Sequence, residues 1–347
     1  MARWLVGHPG PHFSVHDLYE GWVEALRGLG EQVVAYNLGD RLSFYDAAFV
    51  ETGAEDETGH KQFRKAVTRE QAIELAANGI LSAAYKFWPD VILLVSAFFT
   101  PPELLEILRA RGHKIVILHS ESPYQDDEQL VRAPYAHINL LNDPTNLAAY
   151  GEHGPAVYMP HACRPGVHYP PPDGAARPYD LVFSGTGFPS RVEFFTAMDL
   201  AGLDVRLAGC WLDLPGDSPL RGWIDGDPEG CIDNDETAGL YRQAKCGVNF
   251  YRRESEQAHR GEGWAVGPRE VEMAACGLWF ARDPRPESDA LFPMLPTFSS
   301  PAEAGELIRW ALTHEAERDK AAAAARDAIA DRTFENHARK LLAMIGN

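Results

Sequence analysis

Two short, continuous apolar runs constrain the fold of the first half of the chain most strongly. Val91–Val95 and residues 115–118 contain no polar side chain, which is the pattern of strands covered on both faces. Residues 102–111 between them have a helical pattern. Strands that alternate with helices in this way predict a parallel sheet with right-handed crossovers.

The same alternation extends toward the N-terminus. Residues 4–6 and 32–36 are predicted strands on either side of an amphipathic helix over residues 15–29. A polar, glycine-containing stretch follows over residues 39–65, and we expect loops there. Thr68 and Gln71 have the spacing of a capping box and predict a helix that runs to about residue 87.

A dense group of prolines interrupts the chain near its middle and excludes both helix and central strand. These prolines are Pro160, Pro165, Pro170, Pro171, Pro172 and Pro178. We predict an N-terminal Rossmann-like domain over residues 1–160, a linker over 161–178, a C-terminal domain over 179–330 and a final helix over 331–347. The fold class expected is α/β, with two Rossmann-like domains that face each other across a cleft.

The charge balance limits the classes of partner. The chain of 347 residues has 32 basic and 50 acidic side chains, a formal net charge of −18. Such a field repels phosphate backbones and anionic membrane surfaces. The composition therefore argues against nucleic acid as a partner.

The cysteine pattern and the length of the apolar segments indicate in which cellular compartment the protein is expected. Five scattered cysteines without a Cys-x-x-Cys pair are typical of reduced thiols in a cytosol. No segment reaches the roughly 18 apolar residues of a membrane helix, and the apolar run at the N-terminus is too short for a signal peptide. We expect a cytoplasmic protein without an integral membrane segment.

The turn after the strand predicted over residues 180–183 is the first candidate phosphate site. It contains Ser184, Gly185, Thr186 and Gly187, and Arg191 follows in the next helix. Glycines let backbone amides approach a diphosphate, and an arginine adds a bidentate contact. The alternative is an ordinary tight turn that needs glycine only for its backbone conformation.

The second candidate stretch is a helix that Pro268 begins and Gly277 ends. Arg269 and Glu272 are three residues apart and share one helical face. They suit a phosphate and a ribose diol respectively, because an acidic residue on a ribose recurs in nucleotide sites. The alternative is a surface ion pair of little energetic weight.

Five segments in this order resemble the CgeB-like glycosyltransferases, relatives of the large glycosyltransferase group with the GT-B fold. They are residues 158–162 followed by Tyr169-Pro170, residues 183–191, residues 207–211, residues 241–249 and residues 269–277. The resemblance covers about residues 115–345.

The resemblance implies a Leloir-type transferase that uses a nucleoside-diphosphate sugar as co-substrate and has no other cofactor. It places Glu272 on the ribose and Arg191 near the diphosphate. Many retaining members have a second glutamate eight positions before the ribose glutamate, where this chain has Trp264, with Glu262 and Glu270 nearby. The stereochemistry of transfer and the acceptor, whether glycan, small molecule or protein, stay open.

In the N-terminal half, the resemblance places a histidine after a buried strand, in contact with the donor sugar. His119 has this position, and Glu121 and Asp126 are candidate general bases for an inverting enzyme. For all three residues a purely structural role is the alternative.

The loop from Gly7 to Gly10 resembles the first-strand loop that lies under the donor phosphates in this fold. His8, His12 and His16 are close in sequence, but no carboxylate is spaced to complete a metal site, and we predict none.

Two other functions remain open from the sequence. One is a nucleotide-sugar epimerase or hydrolase on the same fold, and the other is a non-catalytic protein that binds a nucleotide sugar.

Overall fold

The structure is a computed structural model that describes residues 1–10, 15–212, 214–224, 230–254 and 263–346. The chain divides into two compact units. Unit 1 comprises residues 1–142 and 146–158, and unit 2 comprises residues 143–145 and 159–347. The residues predicted as a linker belong to unit 2. Among the described residues, no helix has the length and apolar character needed to cross a membrane.

Unit 1 is built on a parallel sheet of six strands in the order β2-β1-β5-β6-β7-β8. The strands are β1 (Arg3–Gly7), β2 (Gln32–Tyr36), β5 (Val91–Val95), β6 (Lys114–His119), β7 (Ile138–Leu141) and β8 (Ala156–Tyr158). The helices are α1 (His16–Gly28), α2 (Leu38–Asp46), α3 (Arg69–Phe87), α4 (Pro102–Ala110), α5 (Asp126–Leu130) and α6 (Leu147–Gly151). Every residue of β5 is buried, as its apolar run predicts.

Local signals located several of these elements correctly. The capping box at α3 is present, with Thr68 Oγ1 accepting from the Gln71 amide and Gln71 Oε1 accepting from the Thr68 amide.

The expectation of loops over residues 39–65 is wrong. This stretch contains most of α2 and an exposed antiparallel hairpin of β3 (Phe49–Glu55) and β4 (Lys61–Lys65). Its strands have no buried face, so they lack the apolar alternation that identifies a strand.

Unit 2 contains a second parallel sheet in the order β10-β9-β11-β12. Its strands are β9 (Tyr179–Ser184), β10 (Val205–Ala208), β11 (Ala244–Asn249) and β12 (Trp279–Arg282). The helices are α7 (Pro189–Ala197), α8 (Asn234–Gln243), α9 (Pro268–Ala275), α10 (Pro286–Leu291), α11 (Pro301–Thr313), α12 (Glu315–Ala328) and α13 (Phe334–Gly346). An α/β class with two Rossmann-like units is thus confirmed.

The strand order of unit 2 fixes where a ligand site belongs. In the sheet, β9 has β10 on one side and β11 on the other. The chain therefore leaves β9 toward one edge of the sheet and later continues from β11 toward the opposite edge, so the direction of winding changes between β9 and β11. Ligands of doubly wound sheets bind beyond the carboxyl ends of the strands at such a switch point. In unit 2 this point lies between Ser184 and Asn249.

Candidate functional site

Two arginines cross the switch point of unit 2. Arg269, in the first turn of α9, donates from Nε to the Ser184 carbonyl and from Nη1 to Asn249 Oδ1 at 2.6 Å. Arg191 of α7 donates from Nη1 to the Thr186 carbonyl at 2.9 Å and from Nε to the Phe250 carbonyl at 3.1 Å. The two side chains therefore join the end of β9 to the end of β11.

Gly185 lies between the two guanidinium groups. It has a φ of 154°, and a Cβ built on it would lie 2.4 Å from Arg269 Nη2 and 3.3 Å from Arg191 Nη1. Both guanidinium carbons also lie over the Phe183 ring, at 5.3 Å for Arg191 and 4.7 Å for Arg269. Two positive charges thus converge at the carboxyl end of β9, where only glycine leaves room for them.

The backbone amides of this turn serve a different purpose from the predicted one. The Gly185 amide donates to the Ala208 carbonyl at 2.9 Å, and the Gly187 amide donates to the Cys210 carbonyl at 2.7 Å. These bonds hold the turn against the end of β10. The prediction that these two glycine amides face a diphosphate is therefore wrong for this structure, because both already have acceptors within the unit.

The first turn of α7 already holds a carboxylate. Glu254 accepts from the Ser190 amide at 2.8 Å and from the Ser190 hydroxyl at 3.1 Å. These hydrogen bonds outweigh the opposing effect of burial, so the pKa of Glu254 is lowered. An anion at the helix N-terminus is favoured, and here the chain supplies its own.

Arg269 and Glu272 both belong to α9, but their side chains contact different residues. The helix begins at Pro268, and Gly277 follows it with a φ of 66°, as the sequence predicts. Glu272 is 9% exposed, and its Oε1 accepts from the Asn234 side chain at 3.3 Å. Since Arg269 forms no ion pair with any of the described residues, the surface pair considered as an alternative is not formed.

Glu270, the residue after Arg269, helps to position that arginine through Asn249. Glu270 is fully buried and accepts from the side chains of Asn249, Tyr251 and Ser288. Burial raises its pKa, although the three hydrogen bonds and Arg282 oppose the shift. Because Asn249 donates to Glu270 while accepting from Arg269, Glu270 fixes the orientation of the amide that holds the arginine.

The loop before α9 is held by acidic side chains. Asp143 Oδ2 accepts from the amides of Trp264 and Ala265, both at 2.8 Å, and Glu287 Oε2 accepts from the Val266 amide at 2.7 Å. Trp264, at the position of the second family glutamate, has an exposed fraction of 40%. Glu262 and His12 lie outside the described residues.

In unit 1, His119 lies at the end of β6 and is fully buried. Its Nε2 donates to Asn139 Oδ1 at 2.8 Å, which leaves Nδ1 unprotonated, and Nδ1 has no partner among the described residues. Burial lowers the pKa of His119 to about 4. The ring packs 4.5 Å from that of Tyr150. This setting shows a neutral core histidine and does not itself expose a sugar contact.

The two candidate bases differ in their surroundings. Asp126 is buried and accepts from the Tyr150 hydroxyl at 2.8 Å and from the Asn146 side chain. Glu121 is half-buried, and its amide donates to Gln129 Oε1 at 3.3 Å. Of these two residues, Glu121 has the more accessible side chain.

The loop at the end of β1 is tightly packed. A Cβ on Gly7 would lie 2.5 Å from the Leu94 side chain, and one on Gly10, at a φ of 104°, would lie 2.5 Å from the Phe99 ring. His8 Nδ1 accepts from the Gly10 amide at 3.1 Å, and its Nε2 lies 2.8 Å from His16 Nδ1. The two histidines are therefore hydrogen-bonded to each other.

Sequence reasoning missed Asn249, Glu270, Asn234 and Asp143. Asn249 had a usable signal, because it is a polar residue at the carboxyl end of a strand and follows three residues without a polar side chain, 246–248. No sequence signal indicated the role of Asp143, because the residues that it contacts, 264 and 265, lie more than a hundred residues away in the sequence.

Comparison with solved structures places the chain in the GT-B fold class. Residues 191–343 also match the model of the glycosyl transferase-like family. No curated protein sequence matches the chain significantly.

Three solved structures illustrate the likeness. An α-glucosyltransferase in complex with UDP and a 13-mer DNA containing an HMU base has a TM-score of 0.67 at 12% identity, with 99% of each chain covered. Sucrose-phosphate synthase from Thermosynechococcus elongatus has a TM-score of 0.65 at 13% identity, covering 100% of this chain and 98% of that one. Anabaena HepE in complex with UDP-glucose has a TM-score of 0.61 at 10% identity, covering 99% and 100%. At these identities the likeness establishes the fold.

Proposed function

We propose that this protein is a glycosyltransferase that moves a sugar from a nucleoside-diphosphate sugar to an acceptor, and that it belongs among the CgeB-like enzymes. The observation that carries the proposal is the convergence of Arg191 and Arg269 on Gly185 at the switch point of unit 2. The family match over residues 191–343 supports it, as do the UDP and the UDP-glucose bound by two structural neighbours.

Arg269 is the principal diphosphate ligand in this proposal. Its Nε and Nη1 are held by Ser184 and Asn249, while Nη2, which faces Gly185, donates to no acceptor among the described residues. A guanidinium fixed in this way loses little conformational freedom when an anion binds. Arg191 adds a second positive charge beside it.

Glu272 lies one turn further along α9 and is proposed to accept hydrogen bonds from the ribose diol. Asn234 holds one carboxylate oxygen and thereby orients the group. A charged hydrogen bond of this kind contributes about 1.5–3 kcal/mol. The nucleotide would thus lie along the first two turns of α9.

Catalysis would come from stabilisation of the leaving diphosphate. Negative charge grows on this group as the glycosidic bond breaks, so a fixed cation binds the transition state more strongly than the ground state. Two guanidinium groups supply this charge without a metal ion, and we propose a metal-independent reaction. Glu121 remains the proposed base for an inverting reaction, with His119 as a sugar-side residue.

The donor site is tested by measuring the affinity for UDP, GDP and TDP and their sugar conjugates by calorimetry. Glu272→Ala and Arg269→Ala should each weaken nucleotide binding about ten- to a hundredfold. Arg309→Ala is the matched control, because Arg309 is a partly exposed arginine on α11 that pairs with Asp199. Unchanged affinity in folded Glu272 and Arg269 variants would reject the site.

Turnover assays separate transfer from the other two functions. Release of nucleoside diphosphate that depends on an added acceptor supports a transferase. Hydrolysis or epimerisation without an acceptor would indicate the second enzymatic function, and binding without turnover a non-catalytic protein. The acceptor classes to screen are glycans, small molecules and proteins, since a net charge of −18 disfavours nucleic acid.

A further inference from the structure

A cavity of about 490 Å³ lies in unit 1 between β2, which is an edge strand of its sheet, and the helix α3. Val34 and Tyr36 are two residues apart and line it from one face of β2. Gly79, Ser82 and Lys86 line it from α3, where their spacings of three and four residues place them on one helical face. The volume is within the range of about 300–1,000 Å³ in which proteins bind small molecules.

Arg41 of α2 places a fixed positive charge at this cavity. Its guanidinium carbon lies 3.9 Å from the centre of the Tyr36 ring, and its Nη1 donates to the Asn37 carbonyl at 2.9 Å. Arg41 is half-buried and forms no ion pair with any residue that the structure describes. A guanidinium that is already stacked and hydrogen-bonded loses little conformational freedom when an anion binds.

The Tyr36 ring, on which Arg41 stacks, is held in turn by α3. Tyr36 is 2% exposed, and its hydroxyl donates to the Ala76 carbonyl. A Cβ on Gly79 would lie 2.0 Å from the Tyr36 hydroxyl oxygen, so only glycine lets the ring lie against the helix. The position of the arginine is therefore fixed by contacts with β2, α2 and α3 together.

Lys86 supplies a second positive charge to the cavity. It is an exposed residue in the last turn of α3, and within the described part of the chain it forms neither an ion pair nor a side-chain hydrogen bond. Gly79, which adjoins the Tyr36 hydroxyl, and Lys86 are two helical turns or about 10 Å apart. Because side chains lean toward the N-terminus of their helix, Lys86 leans toward the end of the cavity at which Arg41 lies. Ser82 lies between the two ends and adds a hydroxyl group.

The remaining side chains give the cavity an apolar wall and no negative charge. Val34, Ala83 and Phe87 form this wall, and all three are half-buried. No carboxylate is found among the described residues that line the cavity, although the whole chain has a net charge of −18. Two cations beside an apolar wall suit a ligand that is both anionic and partly hydrophobic.

We infer that this cavity binds a small organic anion whose phosphate or carboxylate group lies between Arg41 and Lys86 and whose apolar body packs on the apolar wall. The site uses residues of unit 1 alone and none of the residues of the proposed nucleotide site. It therefore does not depend on the proposed function.

The test measures binding of phenyl phosphate and of benzoate to the full chain by calorimetry at low ionic strength, where such charge interactions are least screened. Inorganic phosphate and phenol are the comparison probes, because the first lacks the apolar body and the second lacks the charge. We expect saturable binding of at least one aromatic anion, about tenfold tighter than that of either comparison probe. Tighter binding of phenyl phosphate than of benzoate would identify a phosphate ester as the ligand, and the reverse a carboxylate. Absence of saturable binding, or equal affinity for phenyl phosphate and inorganic phosphate, would overturn the inference.

Three variants locate the binding. Arg41→Gln and Lys86→Gln should each weaken binding of the aromatic anion about tenfold. Ser82→Leu should abolish it by filling the cavity, and since Ser82 and Lys86 are both exposed, these two variants should fold normally. Arg64→Gln is the matched control, because Arg64 is an exposed arginine of unit 1 that, like Arg41, donates from Nη1 to a backbone carbonyl. Unchanged affinity in the folded Lys86 and Ser82 variants would overturn the inference.

The nucleotide site is excluded in the same way. Arg269→Ala should leave the affinity for the aromatic anion unchanged, and Lys86→Gln should leave the affinity for nucleoside diphosphates unchanged. Loss of aromatic-anion binding in Arg269→Ala but not in Lys86→Gln would assign that binding to unit 2 and overturn the inference. The outcome for the cavity is thus read independently of the outcome for the proposed function.

Discussion

The carboxylate of Glu270 accepts a hydrogen bond from the side-chain amide of Asn249, and both groups are fully buried. The oxygen of the same amide accepts from Arg269. An amide can donate and accept in this way in only one orientation. Glu270 is therefore a positioning residue for the arginine at the switch point.

Glu270→Gln should alter how stability depends on pH. Because burial raises the folded-state pKa of Glu270, its contribution to stability is complete below the unfolded-state pKa and is lost as the pH rises through the folded-state value. Glutamine has no such dependence. The free energy of unfolding of the variant, measured by urea denaturation from pH 4 to pH 8, should therefore improve relative to the wild type as pH rises. A constant difference would show that Glu270 does not titrate in this range.

Gly185→Ala should damage the nucleotide site. The new Cβ would collide with Arg269 Nη2, so the two guanidinium groups must separate. We expect at least a tenfold loss of nucleotide affinity, together with destabilisation of about 1–3 kcal/mol. Gly202→Ala is the control, because Gly202 has a φ of 78° with nothing within 4 Å of a Cβ. Equal behaviour of the two variants in nucleotide binding would show that the crowding at Gly185 is irrelevant.

Arg191→Ala should destabilise the fold. Arg191 is 6% exposed, and its loss leaves the Thr186 and Phe250 carbonyls without this donor. We expect a decrease of about 2–4 kcal/mol in the free energy of unfolding. Arg339→Ala, which removes an exposed pair with Glu335 on α13, should cost about 0.5 kcal/mol or less. If Arg191→Ala is as stable as this control, Arg191 does not hold the two loops together.

The free energy of unfolding of His119→Phe should increase relative to that of the wild type as the pH falls. The pKa of His119 is about 4 in the folded protein because of burial, against 6.5 for the free side chain. The unfolded chain therefore binds a proton first, and stability is lost as pH falls from 6.5 toward 4. At pH 5 this loss is about 2 kcal/mol for the wild type and absent in the variant. Urea denaturation at pH 7.5 and pH 5 measures it, and an unchanged difference between the two proteins would contradict a buried neutral histidine.

Short sequence patterns predicted many of the strands and helices of this fold. The apolar runs at β5 and β6 predict buried parallel strands, Thr68 with Gln71 predicts the start of α3, and Pro268 with Gly277 brackets α9. Each signal depends on residues within one turn or one strand of each other. Such interactions are present in the sequence itself, because backbone geometry fixes which neighbours can meet.

The candidate site depended on contacts that no local pattern contains. The sequence pointed to Arg191, Arg269 and Glu272, but their partners Phe250, Ser184 and Asn234 lie 38–85 residues away. The glycines of the β9–α7 turn predict a phosphate cradle, whereas tertiary packing uses the amides of Gly185 and Gly187 to hold the end of β10. The missing side chain of Gly185 admits two arginines. Polar groups at strand ends take whichever partner the sheet order brings within reach, so only the assembled unit decides whether an amide serves a ligand or the protein itself.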